Sequence, residues 1–442
     1  MTTLERKAPL PRLSLMMFLQ YAVWGLWLPT LGRYLQASVS DGGLGFTPGQ
    51  VGYIIGLAGS IGAISAPFIA GQLADRYFQA QRFLAFLLLA GGITQIILAH
   101  QTTYYSFLFV AIIYSILFMP TLSLTNSLAF SHMADSEKEF PKVRVWGTIG
   151  WIVASWVFPM IWLQVNLKFT KFPPFFAGAE RVDSTHRLID AMTASGGLSI
   201  LYAIYSVIVL PSTPPKRDNV ETLAFKKAFA LLKKPSVAIV VISSLFISII
   251  HQIYFIETSS YFAFKGLRNS LIAPAMTVSQ FAEFFVMLLL GVMLAKMRFR
   301  WVIALGAFCY FLRYVIWATP SMPMWAVVSS QVLAGFCYAC FFAGTFIYID
   351  RVAPADVRHS AQTGIGIVIL GLGPICSAFV LPAIIKATHK AGSAADSVNY
   401  FGMWAVLAAV GLLVALFVAL FFREEASAPQ EAKLAPEEPE LA

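Results

Sequence analysis

About twelve separate stretches of this chain are apolar over the roughly 20 residues that a helix needs to cross a hydrocarbon core. They lie near 13–35, 51–73, 83–100, 106–129, 145–164, 194–211, 236–259, 271–295, 301–319, 325–349, 363–386 and 401–422. Lipid offers no partner for a backbone N–H or C=O, so continuously apolar runs of this length cross as helices that satisfy themselves. Composition agrees: 58% of the 442 residues are hydrophobic, 12% are charged and the mean hydropathy is +0.73. The expected fold is therefore an all-α integral membrane protein, multi-pass in the cell membrane, the cytoplasmic (inner) membrane if the source is bacterial. The first stretch carries Trp24, Gly25 and Trp27, is too long for a signal-peptide core and lacks a small-residue cleavage pattern. It reads as a retained helix.

The formal charge of +9 is read as topology, not as affinity for nucleic acid. Lys and Arg collect in alternate loops, among them Arg76 with Arg82, Lys138 with Lys142, Lys296 with Arg298 and Arg300, and Arg351 with Arg358. The positive-inside rule makes these loops and both termini cytoplasmic. The loop 165–193 also holds Lys168, Lys171, Arg181 and Arg187, but long loops obey the rule less strictly. The connection 212–235, with Lys216, Arg217, Lys226, Lys227, Lys233 and Lys234, separates a six-helix half at 1–211 from another at 236–422. It reads as a linker; its basic amphipathic stretch also suits contact with anionic membrane lipids. Residues 423–442, rich in Glu, Pro and Ala, are expected to be a disordered acidic tail. Gly71 to Arg76 and Gly291 to Lys296 share a Gly-x-x-x-x-cation pattern at the same place in each half. There, glycine would let helix ends approach and Asp75 would meet a neighbouring cation or helix terminus. Repeated halves with polar groups at mid-membrane outline a secondary transporter.

Several polar groups sit at that depth. Glu283 lies in the middle of the eighth stretch, where a charge costs roughly 2.5–3.5 kcal/mol on insertion scales. Gln280 is one turn earlier on the same face. Gln20, Trp24 and Trp27 recur at helical spacing in the first stretch, and an amide beside indoles suits a flat, hydrogen-bonding ligand. In the fourth, Pro120 implies a kink, and Asn126 reads as a helix-packing contact. In the fifth, Arg144, Thr148 and Trp151 share a face, with Gly147 and Gly150 allowing close packing; Arg144 either snorkels or faces a cavity. In the seventh, His251 and Glu257 are candidates for a proton path. Arg313 in the ninth calls for an anion or carbonyl partner, and the aromatics of the tenth, Tyr338 among them, read chiefly as packing. The four cysteines all fall within apolar stretches, so neither a disulfide framework nor a zinc site is expected. No nucleophile–base pair, metal cluster or phosphate-binding loop is visible, which argues against an enzyme, a bound cofactor or ATP-driven transport.

Taken together, Phe18-Leu-Gln with Trp24-Gly-x-Trp27 and Thr30-Leu-Gly32, Met119-Pro-Thr-Leu122, Arg144-Val-Trp-Gly-Thr-Ile-Gly150, Ser279-Gln-x-x-Glu283 and Arg358-x-Ser-Ala-Gln362 resemble the nucleoside:proton symporter family of the major facilitator superfamily. The resemblance implies a twelve-helix, alternating-access importer of nucleosides driven by protons, here expected as a monomer. It implies a substrate site drawing on Arg144, Thr148, Trp151, Gln252, Gln280 and Glu283, with Glu283 as the coupling acid; Tyr338, Gln20 and Trp24 join the candidates. The chain departs from the family pattern in two places. Ala339 stands where an aspartate is expected after the aromatic, and Phe255 stands where an amide is expected one turn after Gln252. Coupling then falls on Glu283, with His251 and Glu257 as the groups that could share it. The rival expectations are a facilitator or symporter for a sugar-like polyol and a membrane sensor without transport.

Overall fold

A computed structural model of the protein describes residues 9–67, 69–70, 77–133, 135–171, 175–213, 233–354, 358–389 and 397–425. The readings of Gly71, Asp75 and Arg76, most of the 212–235 connection and most of the acidic tail lie outside these residues, as does the Arg358 side chain. Twelve helices among the described residues are long and apolar enough to span a membrane. They are α1 (Leu10–Gln36), α2 (Pro48–Pro67), α3 (Ala80–Ala99), α4 (Tyr104–Ser131), α5 (Lys138–Trp162), α6 (His186–Ile208), α7 (Pro235–Phe264), α8 (Asn269–Lys296), α9 (Phe299–Ala318), α10 (Met324–Val352), α11 (Ala361–Thr388) and α12 (Tyr400–Phe421).

The packing repeats with a period of six helices. In the first half α1 packs on α5, α2 on α4 and α3 on α6. In the second, α7 packs on α11, α8 on α10 and α9 on α12. Contact between the halves runs through α5 with α8, α2 with α11, and the end of α1 with α7.

Local sequence explains how α1 and α5 come so close. A Cβ on Gly150 would lie 2.1 Å from the Phe18 carbonyl oxygen, so only glycine permits this approach. Beyond it α1 breaks, running as Pro9–Gly25 and then Leu28–Gln36. Pro29 has no N–H to give the Gly25 carbonyl one turn back. Ser155 of α5 supplies the missing donor, its Oγ bonding Gly25 O at 3.0 Å. By contrast α4 continues as helix through Pro120. Gly291 has open space where a Cβ would sit, so no close helix approach occurs there and that expectation is corrected.

The loop after α5 forms a hairpin, β1 (Gln164–Phe169) pairing antiparallel with β2 (Phe176–Glu180). A two-stranded ribbon is marginal alone. This one is tied across the halves to the start of α8: the Asn269 backbone N–H donates to Glu180 Oε1 at 3.0 Å and Ser270 Oγ to Glu180 Oε2 at 3.1 Å. Asn269 Nδ2 also reaches Ser184 Oγ and Thr185 Oγ1, each at 3.0 Å. Beside it the end of α1 bonds the second half, Arg33 N–H to Ser259 Oγ at 2.9 Å, Arg33 Nε to Asn269 Oδ1 at 3.3 Å and Gln36 Nε2 to Glu257 Oε1 at 3.1 Å. The hairpin side of the molecule is thus closed by polar bonds between halves.

Gly150→Ala should lower the thermal unfolding temperature in detergent, with a cost of about 1–3 kcal/mol from overpacking α1 on α5. Gly197→Ala, where a Cβ meets open space, is the matched change that should cost nothing. Equal melting of the two variants would contradict the packing described.

Candidate functional site

Between the halves lies a cavity of ≈ 580 Å³, within the range of small-molecule sites. Three of its helices contain a π-helical turn: Tyr53–Ala58 in α2, Cys337–Ala343 in α10 and Val368–Leu372 in α11. Each turn contributes wall residues, such as Ile54, Tyr338 and Ile369. The inserted residue re-aims side chains that a regular helix would turn elsewhere.

The first half supplies an aromatic wall carrying one cation. Trp24 meets Trp151 edge-on at 5.6 Å and Phe118 at 5.9 Å, while Tyr114 stacks on Phe118 at 5.4 Å. Arg144 places its Cζ 4.2 Å above the Tyr21 ring. Thr148 lies one turn on, and all of these groups face the cavity. The second half supplies hydrogen-bonding groups and one anion: His251, Gln252, Gln280, Glu283 and Tyr338. Gln280 Oε1 accepts from Ser279 Oγ at 3.0 Å. Arg144 and Glu283 both line the space and form no ion pair among the described residues.

The sequence-level candidates therefore divide. Arg144, Thr148, Trp151, Gln252, Gln280, Glu283, Tyr338, Trp24 and His251 line one cavity. Gln20 and Glu257 do not. Gln20 is fully buried, its Nε2 bonding Thr121 Oγ1 at 2.8 Å. The cavity face of α1 runs through Tyr21, Trp24, Trp27, Leu28 and Leu31, so Trp24 and Trp27 lie on it and Gln20 does not. Glu257 is buried in the hairpin-side contact with Gln36. Arg313, expected to need an anion or carbonyl, sits among rings, 4.0 Å over Tyr254 and 4.8 Å from Trp317. A delocalised, weakly hydrated guanidinium can be held this way.

Sequence reasoning missed Tyr21, Tyr114 and Phe342, and passed over Asn126 as a packing contact. Asn126 lines the cavity with its Oδ1 unpartnered. The Tyr21–Trp24–Leu28 spacing was the available signal for the first of these. Ser123 and Asn126 also border a second space with Ser127, Phe130 and Ser131, so the cavity continues along α4 away from the hairpin.

A family model described as Nucleoside H+ symporter matches residues 10–427. The chain is 28% identical over 425 residues to the putative nucleoside transporter YegT of Escherichia coli (strain K12), covering 93% of each. It is 27% identical to the xanthosine permease of the same organism over 435 residues, covering 93% of this chain and 94% of the relative. It is 24% identical to nucleoside permease NupG of that organism, covering 93% of this chain and 95% of the permease. A crystal structure of nucleoside transporter NupG superposes with a TM-score of 0.76 at 21% identity, over 94% of this chain and 99% of that one. That of a D-xylose-proton symporter gives 0.68 at 13% identity, over 93% of this chain and 98% of that one, a likeness of fold alone.

In a background lacking the native cysteines, Tyr338→Cys should react readily with a water-soluble thiol reagent in open-ended membrane fragments. Gln20→Cys should be protected, since Tyr338 is 41% exposed and Gln20 0%. Equal labelling rates would contradict the cavity face assigned to α1.

Proposed function

The chain belongs to the nucleoside H+ symporter family, a multi-pass transporter of the inner membrane, and from that premise we propose that it imports nucleosides by alternating access, driven by protons through Glu283. The observation that carries the reading is that Arg144 and Glu283 face one cavity from opposite halves with no ion pair among the described residues.

The wall chemistry supports the ligand class. A nucleoside is an uncharged flat base on a polyol. Trp24, Trp151, Phe118 and Tyr338 offer ring faces and edges, and stacking contributes about 1–3 kcal/mol per base. Gln252 and Gln280 each both donate and accept, which matches base edges. Glu283 and Thr148 suit sugar hydroxyls.

The mechanism follows from the cost of the carboxylate. A charged Glu283 facing a closed, dry cavity is expensive. Protonation removes that cost, and so does exposure to water on the side where the proton is released. Proton and substrate thus reach the site together and cross when the halves rock. With the linker side cytoplasmic, the bonds of Glu180, Arg33 and Gln36 close the outer side in the state described. The polar stretch Ser123–Asn126–Ser127 then leads inward.

Labelled uridine uptake should rise in proteoliposomes when a proton gradient, acidic outside, is imposed, and adenosine but not glucose should compete. Glu283→Gln should abolish accumulation against a gradient while retaining exchange. Undiminished accumulation in that variant would remove Glu283 from coupling; competition by glucose would favour a sugar carrier.

Trp24→Ala should weaken uridine binding by about 1–3 kcal/mol, raising the dissociation constant roughly 5- to 150-fold. Equilibrium binding to purified protein checks this, and unchanged affinity would remove Trp24 from the stacking surface.

A further inference from the structure

We propose that His251 is a specificity-determining residue: a neutral imidazole, set by Tyr310, that presents its Nε2–H to an acceptor atom of the nucleobase and carries no coupling proton. This rests on the nucleoside reading above and deepens it.

His251 is half-buried in the cavity wall on α7. Its Nδ1 lies 2.8 Å from the hydroxyl of Tyr310 on α9. Phe255 and Phe342 hold the ring edge-on, both at 5.2 Å. Nε2 has no hydrogen bond within the protein among the described residues, and it is not sealed from the cavity.

The tautomer follows from the tyrosine. Tyr310 is fully buried, and among the described residues the only acceptor its hydroxyl proton reaches is His251 Nδ1. If Nδ1 carried a proton, one of the two facing hydrogens would be orphaned in an apolar site. The satisfied arrangement has Tyr310 donating to Nδ1, with the ring proton on Nε2, a donor aimed at the cavity. A doubly protonated ring would reverse this bond and leave the Tyr310 hydroxyl proton without an acceptor among the described residues.

The surrounding charges point the same way. On α7 the ring meets Tyr254, stacked at 6.2 Å. The Arg313 guanidinium of α9 lies 4.0 Å over the same Tyr254 ring. A second cation would therefore share one ring with Arg313. From α10 come Phe342 and, a turn earlier, Tyr338 and Cys337; from α11, the uncharged Ile369 and Pro374. Glu283 and Arg144 share the cavity, but no carboxylate pairs with His251 among the described residues. His251 is thus built to donate one hydrogen bond, not to shuttle a proton. A base carbonyl or unprotonated ring nitrogen is the matching partner.

The test is the concentration dependence of uridine uptake in proteoliposomes by wild type, His251→Phe, His251→Gln and Tyr310→Phe, with thermal unfolding to confirm folding. His251→Phe should raise KM about tenfold and leave the accumulation ratio at a fixed proton gradient unchanged. His251→Gln, which keeps a donor, should restore most of the affinity. Tyr310→Phe, a change in a positioning residue, should raise KM by a smaller factor with kcat kept. Unchanged KM in His251→Phe, with normal wild-type uptake, would overturn this assignment alone. Exchange without accumulation in His251→Phe would make it a proton carrier and also overturn it. No nucleoside uptake by wild type would overturn the functional reading and this one together.

Discussion

Opposite charges inside a low-dielectric protein attract over distances at which water would silence them. Arg144 and Glu283 face one cavity from opposite halves and form no ion pair among the described residues. Arg144 is propped on Tyr21, and Glu283 sits on α8. Helix packing within each half therefore positions the two side chains. The close approach of α1 and α5 at Gly150 and the pairing of α8 with α10 fix the helices that carry them.

The polar bonds outside the cavity have a different character. Glu180, Asn269, Ser270, Arg33, Gln36, Glu257 and Ser259 form a compact set of inter-half bonds on the hairpin side. Individually such bonds contribute about 0.5–1.5 kcal/mol, and water can replace them once the surfaces part. That makes them suited to holding one arrangement without making it permanent. The cavity's Arg144 and Glu283, by contrast, form no ion pair among the described residues.

The spans were legible because hydrocarbon imposes one length and one secondary structure on each; even the short stretches near 83–100 and 194–211 are helices. Glu283, Gln280 and Arg144 were legible because an ionisable or amide group at mid-membrane is too costly to be incidental, and Thr148 because it lies one turn from Arg144. What failed was rotation about a helix. Gln20 and Tyr21 differ by one position, and a break at Trp27 with Pro29 behind it leaves helical spacing in α1 unable to say which of them turns inward. The π-helical turn that carries Tyr338 and Phe342 has the same effect in α10. Arg313 differs for another reason: an anion or a carbonyl was expected beside it, while the fold places rings of α7 and α9 around it.

The two pieces of α1 belong to different neighbours. Pro9–Gly25 is bolted to α5 of its own half, whereas Leu28–Gln36 lies against α7, so closely at Gly32 that a Cβ would strike the Ile256 carbonyl. One helix therefore packs on both halves. The joint between its two pieces is at Trp27, where the ladder lacks a rung and Ser155 stands in for it. The first helix is jointed rather than continuous, and its joint sits in the wall of the cavity.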